Sequence, residues 1–185
     1  MMTNKAVFLD RDGTINEEVN YLSKVEQIKI LPNSPKAIKL LNENGFKVII
    51  ITNQSGVARG YFSVQELENI HNHLKNQLLK DGAIIDAVYY CPHHPDDRCD
   101  CRKPKTGMID RAKEEFEIDL SSSFIVGDKL LDLETGHRAG CKTVLVLTGY
   151  GSDELKEQKN WKFQPDQIAQ NLYDAVMWIL GEDSK

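Results

Sequence analysis

The sequence predicts an α/β fold, a doubly wound parallel sheet with helices on both faces, and three observations predict it. Short apolar runs alternate with helical patterns along the whole chain. The runs are apolar throughout, as strands covered on both faces are. Polar and charged residues cluster directly after the runs, where the carboxyl ends of parallel strands gather ligand-binding groups.

The elements follow in order. The first strand is expected over 6–10 and ends in Asp10-Arg11-Asp12-Gly13-Thr14. Residues 15–32 make only a short excursion, a hairpin or flap too small for a lid domain. Ser34 reads as an N-cap with Pro35 at the first helical position, and Gly45 closes that helix. A second strand spans 47–52. Ser63 and Glu66 have capping-box spacing. Leu67, Ile70, Leu74 and Leu78 then repeat at three and four, giving one apolar stripe. A third strand covers 85–90, and Met108, Ala112 and Phe116 line a third helix. A fourth strand at 123–126 leads into a helix over 132–139, and a fifth strand lies at 143–147. Residues 153–159 read as an exposed helical turn. A short edge strand over 167–169 and a last helix over 172–180 complete the chain, with Trp161, Phe163 and Trp178 expected in the core. With no internal repeat or low-complexity linker, a single domain over 1–185 is expected.

Bulk properties narrow the function. A net charge of −5 argues against a nucleic-acid binder that works through a general basic field. No apolar run approaches the roughly 18 residues of a membrane span. The N-terminus lacks a charged stretch followed by an apolar core, so a cytoplasmic protein with no membrane partner is expected. Disulfides are rare in a reducing compartment, so the four cysteines need another account.

On an extended chain residues i and i+2 face the same way. Asp10 and Asp12 would therefore stand together at a sheet rim, where two carboxylates repel unless a cation lies between them. Oxygen-only ligands favour magnesium, and a carboxylate beside such a metal can attack phosphorus. The plainer alternative is an acidic turn. After the second strand come Thr52, Asn53, Gln54, Ser55 and Gly56. After the third comes a Cys/His-rich loop ending in Arg102-Lys103-Pro104-Lys105, and after the fourth come Gly127-Asp128-Lys129. Hydroxyls, amides, cations and a third carboxylate thus converge on one edge, a set that fits a phosphoryl group plus magnesium. Taken singly, Thr52-Asn53 also reads as a turn, and Asp128 as a helix cap. Asp132 reads as a cap too and is assigned no catalytic part.

Cys91-x-His93 and Cys99-x-Cys101 offer four soft or borderline ligands within eleven residues. Three cysteines and a histidine make a closed tetrahedral zinc set, which leaves no open position and is structural. Incidental thiols are the alternative, and His94 rivals His93. Cys141 reads as a small buried residue. His71, His73 and His137 read as surface or packing residues, and Lys105 as a solvated charge.

Asp10-Arg11-Asp12-Gly13-Thr14, Thr52-Asn53 and Gly127-Asp128 resemble the ordered motifs of the haloacid dehalogenase (HAD) superfamily. Five longer strings resemble its heptose-bisphosphate phosphatase family, over residues 6–149: Thr52-Asn53-Gln54-Ser55-Gly56-Val57-Ala58-Arg59-Gly60, Cys91-Pro92-His93-His94-Pro95, Cys99-Asp100-Cys101-Arg102-Lys103-Pro104, Gly107-Met108 and Val126-Gly127-Asp128-Lys129. The resemblance implies a HAD-type, Rossmann-like sheet with a minimal flap, a zinc-binding loop and no large cap domain. It implies Asp10 as the nucleophile that forms an aspartyl-phosphate and Asp12 as the acid that protonates the leaving sugar oxygen and then deprotonates water. Thr52 and Asn53 would hold phosphoryl oxygens, and Lys103, rather than Lys105, would balance the transferring charge. Asp128 would complete a magnesium site with Asp10 and the main-chain carbonyl of Asp12. Arg102 would recognise the substrate through its planar fork, with Arg11, Glu18, Val19, Asn20, Tyr21, Gln54, Ser55 and Lys129 as further substrate contacts. Family matching picks His93 to join Cys91, Cys99 and Cys101 around zinc. The implied partner is a small sugar phosphate, the implied reaction removal of the 7-phosphate of a heptose bisphosphate, and the implied assembly a monomer. Three alternatives stand beside it: a histidinol-phosphate phosphatase, a signalling module that accepts phosphate on aspartate, and a zinc-loop binding protein without catalysis.

Overall fold

The structure is a computed structural model and describes residues 3–184; the expected domain limits of 1 and 185 lie outside the described residues. Six parallel strands form one sheet: β1 (Ala6–Leu9), β2 (Lys47–Asn53), β3 (Ala87–Cys91), β4 (Phe124–Gly127), β5 (Lys142–Val146) and β6 (Gln167–Ala169). Their order is β3-β2-β1-β4-β5-β6. The chain winds outward from β1 to one edge, then returns to β4 and winds to the other. The order therefore reverses between β1 and β4, and the crevice beyond their carboxyl ends is where such a sheet binds ligands.

The apolar runs are strands because both faces are covered. In β1, Val7 and Leu9 join one core with Val48, Ile50, Val126, Val144 and Val146, while Ala6 and Phe8 join the other with Ile49, Ile51 and Ile125. Period-two alternation thus sends successive apolar side chains to opposite cores. Helices α1 (Ser34–Glu43), α2 (Val64–Lys80) and α6 (Leu172–Asp183) supply the first core, and α3 (Gly107–Phe116) the second. Helix α4 (Leu130–Ala139) lies so close to the sheet that a Cβ at Gly136 would sit 2.0 Å from Ile125 Cγ2. The short α5 (Gly151–Lys156) follows β5.

Local chemistry sets most ends. Ser63 and Glu66 form the expected reciprocal cap of α2, and Leu67, Ile70, Leu74 and Leu78 are buried as the stripe requires. Helix α1 is capped one residue earlier than expected: Asn33, in the left-handed region that asparagine tolerates, takes the cap position and Ser34 becomes the first helical residue. The third strand starts two residues late and runs through Cys91, carrying that thiol into the second core. Trp161 and Phe163 stay half-exposed outside both cores, and Phe163 stacks on His137; Trp178 packs against the first core while partly exposed. Among the described residues no helix is long and apolar enough to cross a membrane.

Candidate active site

Strand ends and one loop build the site. Asp10 follows β1, Thr52 and Asn53 end β2, Asp128 follows β4, and the loop after β3 swings Lys103 back under the same edge. A cavity of about 300 Å³ opens there. Asp10, Asp12, Thr52, Asn53, Gln54, Ser55, Lys103 and Lys129 line it, and the flap contributes Glu18, Val19, Asn20 and Tyr21.

Lys103 is only 3% exposed. Its ammonium donates to Asp10 at 2.9 Å, to Asp132 at 2.5 Å and to the carbonyl of Ile51 at 2.9 Å. Burial works against the charged amine, but Asp10 and Asp132 outweigh it and raise its pKa, so Lys103 stays charged. Its neighbour Lys105 donates to the carbonyl of Cys99, which makes it a strut of the cysteine loop rather than a free charge.

Asp10, Asp128 and Asp132 have carboxylate oxygens all within 4.8 Å of one another. Burial, then Asp10 and Asp132, push the Asp128 carboxyl up to about 8; burial and Asp10, against Lys103, push Asp132 up to about 6. The protein alone thus under-neutralises this cluster. Asp128 Oδ2 accepts from the main-chain N–H of Tyr150 at 2.8 Å, while Oδ1 is buried with no hydrogen-bond partner. Gly13 and Gly149, both at positive φ, press in on Asp128; a Cβ on either would lie 2.1–2.2 Å from Oδ2. An orphaned, packed carboxylate oxygen among three acids is a donor set that fits a hard divalent cation.

Asp12 is held from three sides. Its oxygens accept from Arg11 Nε at 3.0 Å and Nη2 at 2.7 Å, from Asn16 at 2.9 Å and from Gln54 at 3.1 Å. Burial raises its pKa, yet Arg11 and these hydrogen bonds prevail and hold it below the usual carboxylate value. Gln54 also donates to Thr52 Oγ1 at 2.9 Å, which leaves the hydroxyl proton free to point at a ligand.

The loop cysteines converge as expected. Cys91, His93, Cys99 and Cys101 offer ligand atoms within 4.8 Å of one another. Cys91 Sγ lies 3.7 Å from Cys99 Sγ and 3.5 Å from His93 Nδ1, and His93 Nδ1 lies 3.2 Å from Cys101 Sγ. A tetrahedral zinc site sets its ligand atoms roughly 3.5–3.8 Å apart, so the donors fit that ion. His94 instead faces Asp96 at 3.2 Å.

Three expected substrate contacts sit differently. Arg11 is 1% exposed and turns away from the cavity into α2, where Nη1 lies 3.0 Å from His71 Nε2. Asn53, on the cavity wall, has its amide committed to the Lys103 main chain, accepting from N–H at 3.0 Å and donating to C=O at 3.2 Å. Arg102 lines a second hollow beside the first; the two share Lys103 and Leu131. Two further residues take parts beyond those the sequence pattern showed. Asp132 is a cap, accepting from Lys129 N–H at 3.2 Å, but its other oxygen holds Lys103. Its four-residue spacing from Asp128 across a helix start was the available signal. His71, 5% exposed, takes the packing alternative rather than the surface one. It sits four residues after Leu67 on the apolar stripe, which marks it as buried.

Comparison with known proteins places this geometry. Residues 100–175 match a HAD-hydrolase-like family, and residues 5–132 match the polynucleotide kinase 3 phosphatase family. A D-glycero-D-manno-heptose-1,7-bisphosphate 7-phosphatase of Chlorobaculum tepidum is 42% identical, over 98% of both chains. A D-glycero-beta-D-manno-heptose-1,7-bisphosphate 7-phosphatase of Haemophilus ducreyi is 40% identical over 96% of this chain and 100% of its own. The crystal structure of D,D-heptose 1,7-bisphosphate phosphatase from B. bronchiseptica, complexed with magnesium and phosphate, superposes with a TM-score of 0.89 at 35% identity. It covers 96% of this chain and 99% of its own.

Proposed function

Because the chain belongs to the haloacid dehalogenase superfamily, and within it to the heptose-1,7-bisphosphate 7-phosphatases, we propose that it hydrolyses the 7-phosphate of D-glycero-D-manno-heptose 1,7-bisphosphate. One observation carries the chemistry: Asp10 and Asp12 line a single cavity, with Lys103 bonded to the first and Arg11 to the second. Two carboxylates in different electrostatic settings can divide nucleophilic and acid–base work.

Asp10 attacks phosphorus, the bond to the sugar oxygen breaks, and an aspartyl-phosphate forms. Asp12, held below the usual carboxylate value in the free protein, takes up a proton as the anionic phosphate arrives. It gives that proton to the sugar oxygen, then takes one from the water that cleaves the intermediate and releases inorganic phosphate. Thr52 donates its hydroxyl to a phosphoryl oxygen, and Lys103 faces the charge that spreads over the equatorial oxygens. Asn53 acts by clamping the loop that carries Lys103. Asp10, Asp128 and the main-chain carbonyl of Asp12 would hold Mg²⁺, which when bound lets a dianionic phosphate approach an acidic cavity. Asp132 keeps Lys103 in place. Zinc held by Cys91, His93, Cys99 and Cys101 would fix the loop that presents Arg102 and Lys103. Arg102, in the neighbouring hollow, takes the second phosphate; Glu18, Val19, Asn20, Tyr21, Gln54, Ser55 and Lys129 enclose the sugar. The reading extends to a single-domain, cytoplasmic monomer that does not engage nucleic acid, supported by the net charge of −5.

Turnover with Mg²⁺ on the heptose bisphosphate and on histidinol phosphate tests it. The bisphosphate is expected to be the faster substrate. Faster hydrolysis of histidinol phosphate overturns the substrate; a single phosphorylation without steady phosphate release favours a phospho-accepting module instead.

A further inference from the structure

We propose that His71, on α2 and outside the cavity, is a positioning residue for the acid–base carboxylate. This rests on the assignment of Asp12 as the group that protonates the leaving oxygen. The guanidinium of Arg11 is donor-only, and it is buried against three partners: both oxygens of Asp12 and Nε2 of His71, at 3.0, 2.7 and 3.0 Å. A buried donor without a partner is costly, so Nε2 must accept from Nη1. Only a neutral imidazole can do so, and burial and the Arg11 charge keep it neutral, with a pKa pushed down to about 3. His71 itself is wedged against the Tyr90 ring, 5.6 Å between centroids. The chain of contacts His71–Arg11–Asp12 therefore fixes which way the guanidinium faces, and through it the plane of the Asp12 carboxyl. Gln54, on the cavity wall, and the buried Asn16 hold the same carboxyl. The sequence separates Arg11 from His71 by sixty residues, and α2 is the element that returns His71 to the rear of the strand end.

Leaving groups supply the test. An alkyl or sugar phosphate needs a proton on its departing oxygen, whereas p-nitrophenyl phosphate expels a stabilised phenolate and does not. His71→Leu removes the acceptor at similar volume. We expect the single-turnover rate of leaving-group release from the sugar phosphate to fall about tenfold, KM to stay within about twofold because His71 touches no substrate, and the single-turnover burst of p-nitrophenolate to change little. Steady-state turnover is not the readout, because cleavage of the aspartyl-phosphate uses Asp12 for both substrates. His71→Gln, whose amide oxygen reaches the place of Nε2, should restore most of the loss. His71→Asn, whose amide oxygen falls short, should not, and this pair serves if the leucine variant does not fold. An equal loss in the single-turnover release step on both substrates, or a glutamine variant no better than asparagine, overturns the inference. Asp12→Asn is the control. If it discriminates between leaving groups while His71→Leu does not, His71 alone is misassigned. If Asp12→Asn fails to discriminate, the acid role of Asp12 falls and the inference with it.

Discussion

The carboxylate cluster at the sheet edge and the cysteine loop beside it both call for a cation, but they are built in opposite ways. Asp10, Asp128 and Asp132 come from two strand ends and a helix start, with more than a hundred residues between Asp10 and the other two, and all three are buried. Cys91, His93, Cys99 and Cys101 come from one stretch after β3; only Cys91 is buried and His93 is exposed. The sheet positions the first set whether or not a metal is there, because apolar packing on both faces fixes where β1 and β4 end. No helix or strand spans residues 92–106. The difference teaches that the hard-ligand site is preorganised by the fold, while the soft-ligand set, on holding a metal, would organise the loop that carries it. Each then fails in its own way.

Asp10→Asn breaks the comparison most sharply. It removes the proposed nucleophile, so turnover should drop on the order of a thousandfold or more. The fold should survive, because the substitution keeps the shape of the side chain and Lys103 retains Asp132. Steady-state phosphate release and circular dichroism check both halves. Substantial residual turnover would remove the covalent mechanism.

How much of this was visible beforehand differs between the same two regions. The strands were legible because uninterrupted apolar runs such as Val48-Ile49-Ile50-Ile51 have no other stable place than a sheet covered on both faces. The cysteine set was legible because its ligands are neighbours in sequence. At the sheet edge Asp10, Asp12 and Asp128 could be read from their positions after strands. Asp132 could not, since a helix cap explains an acidic residue there equally well and its bond to Lys103 spans 29 residues of chain. The Arg11–His71 contact was invisible for the same reason: pattern reports which face a residue takes, not which distant partner it meets. Arg11 read as a substrate contact because it stands between two site aspartates, whereas its side chain turns behind them.

Cys99→Ala should act in the opposite order to Asp10→Asn. Metal content should fall first, with thermal stability; activity should follow as the loop carrying Lys103 loosens. Loss of a loop anchor worth about 2–3 kcal/mol lowers Tm by roughly 5–10 °C in a chain of this size. Elemental analysis and differential scanning calorimetry measure the two. Zinc retained at one per chain would show that the ligand set is wrong. By contrast, withdrawing magnesium alone should abolish turnover while Tm moves far less, because the sheet holds those ligands on its own.

The rear brace of the carboxylate site gives the smallest effect and the finest test of its preorganisation. His71 is neutral in the fold, with its pKa down at about 3 from an ordinary 6.5 because burial and Arg11 oppose its charge. The unfolded chain takes up that proton near pH 6.5, the native protein only near pH 3. Between those values the unfolded state binds more protons, so stability rises with pH across the window and this contribution is lost as pH falls through it. Carboxylates titrate over the same range, so the informative quantity is a difference. His71→Gln keeps an acceptor for Arg11 but cannot take a proton. Its Tm should match the parent near pH 7.5 and exceed it by a margin that widens as pH drops from 6.5 towards 4. Parallel Tm curves over that range would mean that the imidazole titrates in the folded protein much as it does in the unfolded chain. The carboxylate site would then be less rigidly enclosed on its helix side than the cysteine loop comparison requires.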